Sequence, residues 1–193
     1  MQARFNSSSR GFSLVEVLIA MGLLTAVSMG VAQLFALSTR ANLIAKGATS
    51  TTSMAEQKLE QLRSLTWGFD SQGLGLPVSD TTTNLSVFPP THDGSGLNPS
   101  PADSLEQNTQ GFVDFLDANG AWAGTGSTPP GSAVYIRRWS IQPLPTNPNN
   151  TLIFQVLVSP VSNERIRRES GNADLHRLPG DALLVSVKTR KAQ

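Results

Sequence analysis

The chain contains no cysteine, which excludes disulfides, thiolate nucleophiles and cysteine-based zinc or iron–sulfur sites and leaves the compartment open. It has no dense basic run. The formal net charge of +1 includes Arg4 and Arg10, so a chain starting at Phe12 would carry −1, and nucleic acid is not the expected partner. His92 and His176 stand alone, far apart in sequence, and read as surface or loop histidines rather than bases or metal ligands. No nucleophile motif is found among the serines and no Gly-rich phosphate loop follows a strand, so no catalytic residues and no enzymatic activity are expected. Proline is missing before Pro77, and no charged residue occurs between Val17 and Thr39.

That last absence marks the dominant feature. Val17 to Thr39 is a Leu/Val/Ala/Met-rich run long enough to cross a bilayer as a helix, which takes about 20 residues. The 193 residues leave room beside it for one globular domain, not two. Arg4 and Arg10 precede the run while Arg40 and Lys46 follow it, so the positive-inside rule gives only a slight preference for a cytoplasmic N-terminus. A cleaved secretory signal would also start this way, but no small-x-small site closes the run before Arg40. Glu16 stands at the entrance of the run. A carboxylate at mid-bilayer costs up to roughly 3 kcal/mol without a partner. Alternatively, Glu16 stays hydrated among headgroups and improves the first helical turn through the macrodipole.

The string Arg10-Gly11-Phe12-Ser13-Leu14-Val15-Glu16-Val17-Leu18-Ile19-Ala20 resembles the cleavage and methylation signature of type IV prepilins and type II secretion pseudopilins. The resemblance implies that prepilin peptidase cuts between Gly11 and Phe12 on the cytoplasmic side and that the new Phe12 amine is methylated. A glycine before the scissile bond suits such a protease, since it has no side chain to obstruct it and leaves the backbone extended. In the family, the counterpart of Glu16 neutralises the N-terminal amine of a neighbouring subunit during assembly, turning two costly charges into a pair. The implied partners are prepilin peptidase, other pilins or pseudopilins, the inner membrane and its assembly platform. Nucleic acid would join them only in a competence pilus.

With no early proline, one helix can run from about Phe12 to Leu65. Beyond the bilayer Leu37, Ala41, Ile44, Ala48, Ala55, Leu59 and Leu62 fall near a three-four spacing with Thr51 filling the gap, as an amphipathic helix requires. Thr49 to Ser53 beside Gly47 are poor helix formers, and Ser53 with Glu56 could be a capping box, so a kink or break is expected there. Gly22 and Gly30 are softer points in the membrane segment.

Trp67 to Gly131, rich in Gly, Pro, Ser, Thr and Asn, reads as a long loop region with little regular structure. Ala133 to Leu144, Thr151 to Ser159 and Ala182 to Arg190 read as strands, with Pro145 to Asn150 as a hairpin loop. A long N-terminal helix against a small antiparallel sheet is an α+β arrangement, and it is the fold the pilin resemblance implies. Tyr135 to Ile141 and Asp114 to Gly120 are similar, over short stretches, to the heads of PilV-like minor pilins and type II minor pseudopilins. Asp114, Asp117 and Asn119 supply oxygen ligands near a turn and are the only calcium candidates, no other cofactor or metal being expected; the spacing is not that of an EF-hand. The competing reading is a polar turn with Asn119-Gly120 at positive φ. Glu164, Arg165, Arg167, Arg168 and Glu169 read as a solvated loop between strands. Trp67, Trp122 and Trp139 are expected in the core, aromatics being scarce.

The expected organisation is therefore a leader (1–11), a membrane and filament-core helix (12–39), an amphipathic stalk helix (40–66) and a periplasmic head (67–193) on a single-pass protein of a bacterial inner membrane that then enters a filament. The leading reading is a minor pilin-like subunit of a type IV pilus, with a type II secretion minor pseudopilin as runner-up. From a different class, a membrane-tethered binding or sensor protein would keep its N-terminus at Met1 and leave Glu16 incidental.

Overall fold

A computed structural model describes residues 11–70, 74–170 and 177–190. Helix α1 spans Leu14–Ser64. It contributes to two compact units, one ending at Leu43 and one beginning at Ile44.

In the first unit, every residue from Gly11 to Leu43 is exposed, and the most apolar 18-residue window of α1 has a mean hydropathy of 2.1 with none of it buried. The helix is long and apolar enough to span a bilayer. Its two threonine hydroxyls are satisfied within the helix: Thr25 Oγ1 donates to the carbonyls of Met21 and Gly22 at 3.0 and 2.9 Å, and Thr39 Oγ1 to that of Phe35 at 2.9 Å. Lipid offers these groups no other partner.

The second unit contains the later turns of α1, strands β1 (Trp67–Phe69), β2 (Pro77–Ser79), β3 (Val113–Leu116), β4 (Trp122–Gly124), β5 (Tyr135–Pro143) and β6 (Thr151–Pro160), helix α2 (Val161–Ser170) and strand β7 (Ala182–Thr189). β1 and β2 form a ribbon; the other five make an antiparallel sheet in the order β4-β3-β5-β6-β7. Thr51, Ala55, Lys58, Leu59 and Leu62 are the buried positions of α1, the stripe that the three-four spacing predicts. Ala55, Leu59 and Leu62 share one core with Trp139 and Ile141 of β5, Leu152, Phe154, Val156 and Val158 of β6, and Leu85, Leu97 and Phe112 from the long connection before β3. A long N-terminal helix with antiparallel sheets is an α+β, pilin-like arrangement.

Three expectations need correction. The helix does not break at 47–53. Thr49 Oγ1 returns to the Ala45 carbonyl at 3.0 Å and Thr51 Oγ1 to those of Gly47 and Ala48 at 3.1 Å, so these residues satisfy their hydroxyls inside the helix and Ser53 does not start a new one. The region from Trp67 to Gly131 is not merely loop, since it supplies β1 to β4. β3 escapes sequence patterning because it is four residues long, all buried, and carries an aspartate in place of an alternating polar position. The charged stretch after β6 is helix α2 rather than a solvated loop. Glu164 is buried and receives Arg138 at 2.7 Å and Arg167 at 3.1 Å, while Arg165 and Glu169 remain exposed. Arg167 also pairs with Asp181, which accepts from Asn163 Nδ2 at 2.9 Å, so α2 is bound to the sheet and to the turn before β7 by charge, with Val161 adding apolar contact to Val113, Phe115 and Ile136.

Burial pushes the Glu164 carboxyl up, but the two guanidiniums outweigh it and hold it below its ordinary value of 4.5. Its contribution to stability is therefore full above about pH 4.5 and is lost as the pH falls through the lower folded value. Thermal melts between pH 6 and pH 3 should show a decline that Glu164→Gln flattens, from a lower starting stability.

Candidate processing and assembly segment

Gly11, Phe12 and Ser13 precede the helix in irregular, exposed backbone. The Gly11–Phe12 bond thus lies in the open form that a protease needs. A Cβ added at Gly11 would meet nothing within 4 Å, so nothing in this fold itself demands glycine there. Ser13 starts the helix: its Oγ accepts the Glu16 backbone N–H at 3.2 Å, and its carbonyl accepts that of Val17 at 3.2 Å. This is one half of a capping box, with Ser13 at the N-cap and Glu16 at the third helical position. The sequence signal for this cap is the Ser-x-x-Glu spacing at 13–16. Glu16 itself is exposed in the first turn, where the helix dipole favours a carboxylate. The basic leader residues Arg4 and Arg10 lie outside the described residues.

The calcium candidates have protein partners. Asp114 is taken by cations: Lys58 Nζ lies 2.8 Å from its Oδ2, and Arg137 donates Nε to Oδ1 at 2.9 Å and Nη2 to Oδ2 at 2.8 Å. Asp117 Oδ1 accepts the backbone N–H groups of Asn119 and Ala121 at 2.8 and 2.9 Å, the hydrogen bonding of a polar turn. Gly120 takes φ 79°, whereas Asn119 is not among the residues with positive φ. Among the described residues no group of three His, Cys, Asp or Glu side chains is placed to hold a metal ion. His92 is exposed, and His176 lies outside the described residues. Of the tryptophans only Trp139 is fully buried. Trp67 is half-buried under the Arg190 guanidinium, 3.5 Å from its ring centroid, and Trp122 is partly exposed with its indole N–H on the Ser86 carbonyl at 2.9 Å.

Residues 6–32 match the family model of the prokaryotic N-terminal methylation motif. The methylation motif covers Gly11, Phe12, Glu16 and the first half of the apolar helix, and the head lies outside it. It supports a type IV pilin-like or pseudopilin subunit, handled by prepilin peptidase and assembled with other pilins, and it indicates a structural role rather than a catalytic one. Together with the apolar helix, the motif fits anchoring in the inner membrane. No curated protein and no solved structure matches the chain.

Charge patterning puts Lys58 on a polar face of α1, but the structure buries it. Its side chain is 1% exposed, donates to the Leu85 carbonyl at 2.7 Å as well as to Asp114, and lies 4.3 Å from the Trp139 ring centroid. Helical spacing places Lys58 on the buried stripe, but a charge at that position reads as exposed until its partner is known. Burial, reinforced by Arg137 and opposed by Asp114, pushes its pKa from 10.5 down to about 8. Below pH 8 both folded and unfolded chains hold the proton; between about 8 and 10.5 the unfolded chain binds more, so stability should rise with pH across that window. Urea melts should show the rise in the parent chain and not in Lys58→Met. Asp114→Ala, leaving two buried cations, should cost about 3 kcal/mol or more in the same assay.

Proposed function

We propose that the chain is a minor pilin-like structural subunit, clipped between Gly11 and Phe12, methylated at Phe12, and built through α1 into a type IV pilus with its head on the periplasmic side before assembly. The observation that carries this reading is the methylation motif at residues 6–32 on a helix whose apolar residues are all exposed as far as Leu43. Those side chains need lipid first and neighbouring helices afterwards.

Glu16 is the register device in this scheme. It is the only charged residue between Phe12 and Thr39, and a carboxylate leaving the membrane gains most by meeting the Phe12 amine of an adjacent subunit. Cleavage supplies that amine, which couples processing to assembly.

In a host carrying its own prepilin peptidase, intact-mass and N-terminal peptide analysis of membrane-purified protein should find a chain beginning with N-methylated Phe12. Gly11→Leu should stay uncleaved, at the full-length mass of that variant. An uncleaved parent chain would return the molecule to a tethered binding or sensor role. Glu16→Ala should insert in the membrane yet enter sheared filaments at least about tenfold less than the parent, the loss of one favourable charge pair; equal incorporation would remove the pairing role. Loss of surface fibres in a deletion strain, with exoprotein release intact, separates the pilus from a type II secretion assembly.

A further inference from the structure

Beside α1 the head carries a pocket of about 240 Å³. Its lining includes two aromatic side chains that are not core: Phe88, 65% exposed, and Trp122, 38% exposed. The Trp122 ring is held by its bond to Ser86, so it is a fixed surface. Gln57 and Gln61 line the pocket from the helix. Arg137 Nη1 donates to Gln57 Oε1 at 3.3 Å, which leaves the Gln57 amide N–H groups for a ligand.

Three of the five buried residues of the lining are charged, the other two being Leu85 and Leu116. Lys58, Asp114 and Arg137 all border the pocket, and among the described residues Asp114 is the one carboxylate paired with either cation. Two cations against one carboxylate leave a surplus positive charge where water hardly reaches, and such a charge attracts an anion far more strongly than a surface one does. The pocket thus presents a fixed aromatic wall, amide donors and acceptors at neutral side chains, and a positive floor.

We propose that this pocket binds a carboxylate-bearing sugar ring of the hexuronic acid type, its apolar face on Trp122 and Phe88, its hydroxyls on Gln57 and Gln61, and its carboxylate toward the Lys58–Arg137 side. A purely apolar ligand leaves the amides unmatched, and a neutral sugar leaves the surplus charge unmet. An acidic peptide side chain meets the charge but has no ring face to cover two aromatic walls. This site is separate from the assembly segment and does not depend on filament entry.

The test uses the full chain in a zwitterionic detergent with no sugar headgroup, titrated with sodium glucuronate, glucose or a blocked Ala-Glu-Ala peptide and followed by calorimetry at constant sodium. Saturable glucuronate binding is expected, with glucose and the peptide at least about tenfold weaker, one tenfold step being the loss of one favourable polar or charge contact. Trp122→Ala and Gln57→Ala, both at accessible positions, should each weaken glucuronate at least about tenfold while the melting temperature stays near the parent's. Lys58→Met, if folded by the same measure, should bind glucuronate no better than glucose. No saturation up to about 50 mM, well above the weak-binding range, would overturn the proposal. So would equal affinity for the peptide, or unchanged binding by folded Trp122→Ala and Gln57→Ala.

Discussion

The head depends on where Asp114 can put its charge. On β3 it stands directly opposite Arg137 of β5, so the two side chains share one face of the sheet. Lys58 reaches the same carboxylate from α1. Helix, short strand and long strand therefore meet at one buried group that tolerates neither a shift of register nor a change of helix face. Arg137 adds a bond to the Met54 carbonyl at 3.0 Å, drawing the helix backbone onto the sheet. Apolar burial supplies the larger share of the driving force, yet Leu59, Leu62 and Ala55 would pack acceptably in several neighbouring positions. The ion cluster selects among them, because every alternative takes the buried Asp114 carboxylate away from Lys58 or Arg137.

A different constraint governs the turns of α1 up to Leu43. A helix with exposed leucine, valine, methionine and phenylalanine on all sides has no stripe to bury against a domain. It is suited to a surrounding that is apolar in every direction, which lipid provides and a bundle of like helices can replace. Its threonines bond backward to their own carbonyls, so neither surrounding must satisfy them. From Phe12 to Thr39 the one charge lies in the first turn, where Ser13 caps the helix and Glu16 is exposed. A charge at one end only favours a single depth in lipid.

The two charge clusters of the head have opposite costs. Around Glu164 the cations and carboxylates are matched through Arg138, Arg167 and Asp181, and α2 is held although it offers little apolar surface. Around Asp114 one positive charge is left over, and it lies next to a concave, aromatic-lined surface. A fold that needed only to join helix and sheet could have used a methionine at position 58.

The amino-acid sequence by itself determined the features that depend on near neighbours along the chain. Charge-free composition over Val17–Thr39 marks the membrane helix, three-four spacing marks the buried face at Ala55, Leu59 and Leu62, and the three long strands announce themselves through β-branched runs between turn residues. The methylation motif is likewise a local string, so its residues could be named without any structure. What only the tertiary structure decided are the places where a local preference is overruled by a distant partner. Thr49–Ser53 stay helical, with the Thr49 and Thr51 hydroxyls bonded back into the helix. Val113–Leu116 become a central strand because β5 lies alongside, and the charged segment 161–170 becomes a helix because Arg138 waits for Glu164. Lys58 and Asp114 lie 56 positions apart, and no periodicity links them. Local pattern records which side chains avoid water, but the pairing of buried charges is a property of three-dimensional proximity, and only the folded chain brings those partners within reach.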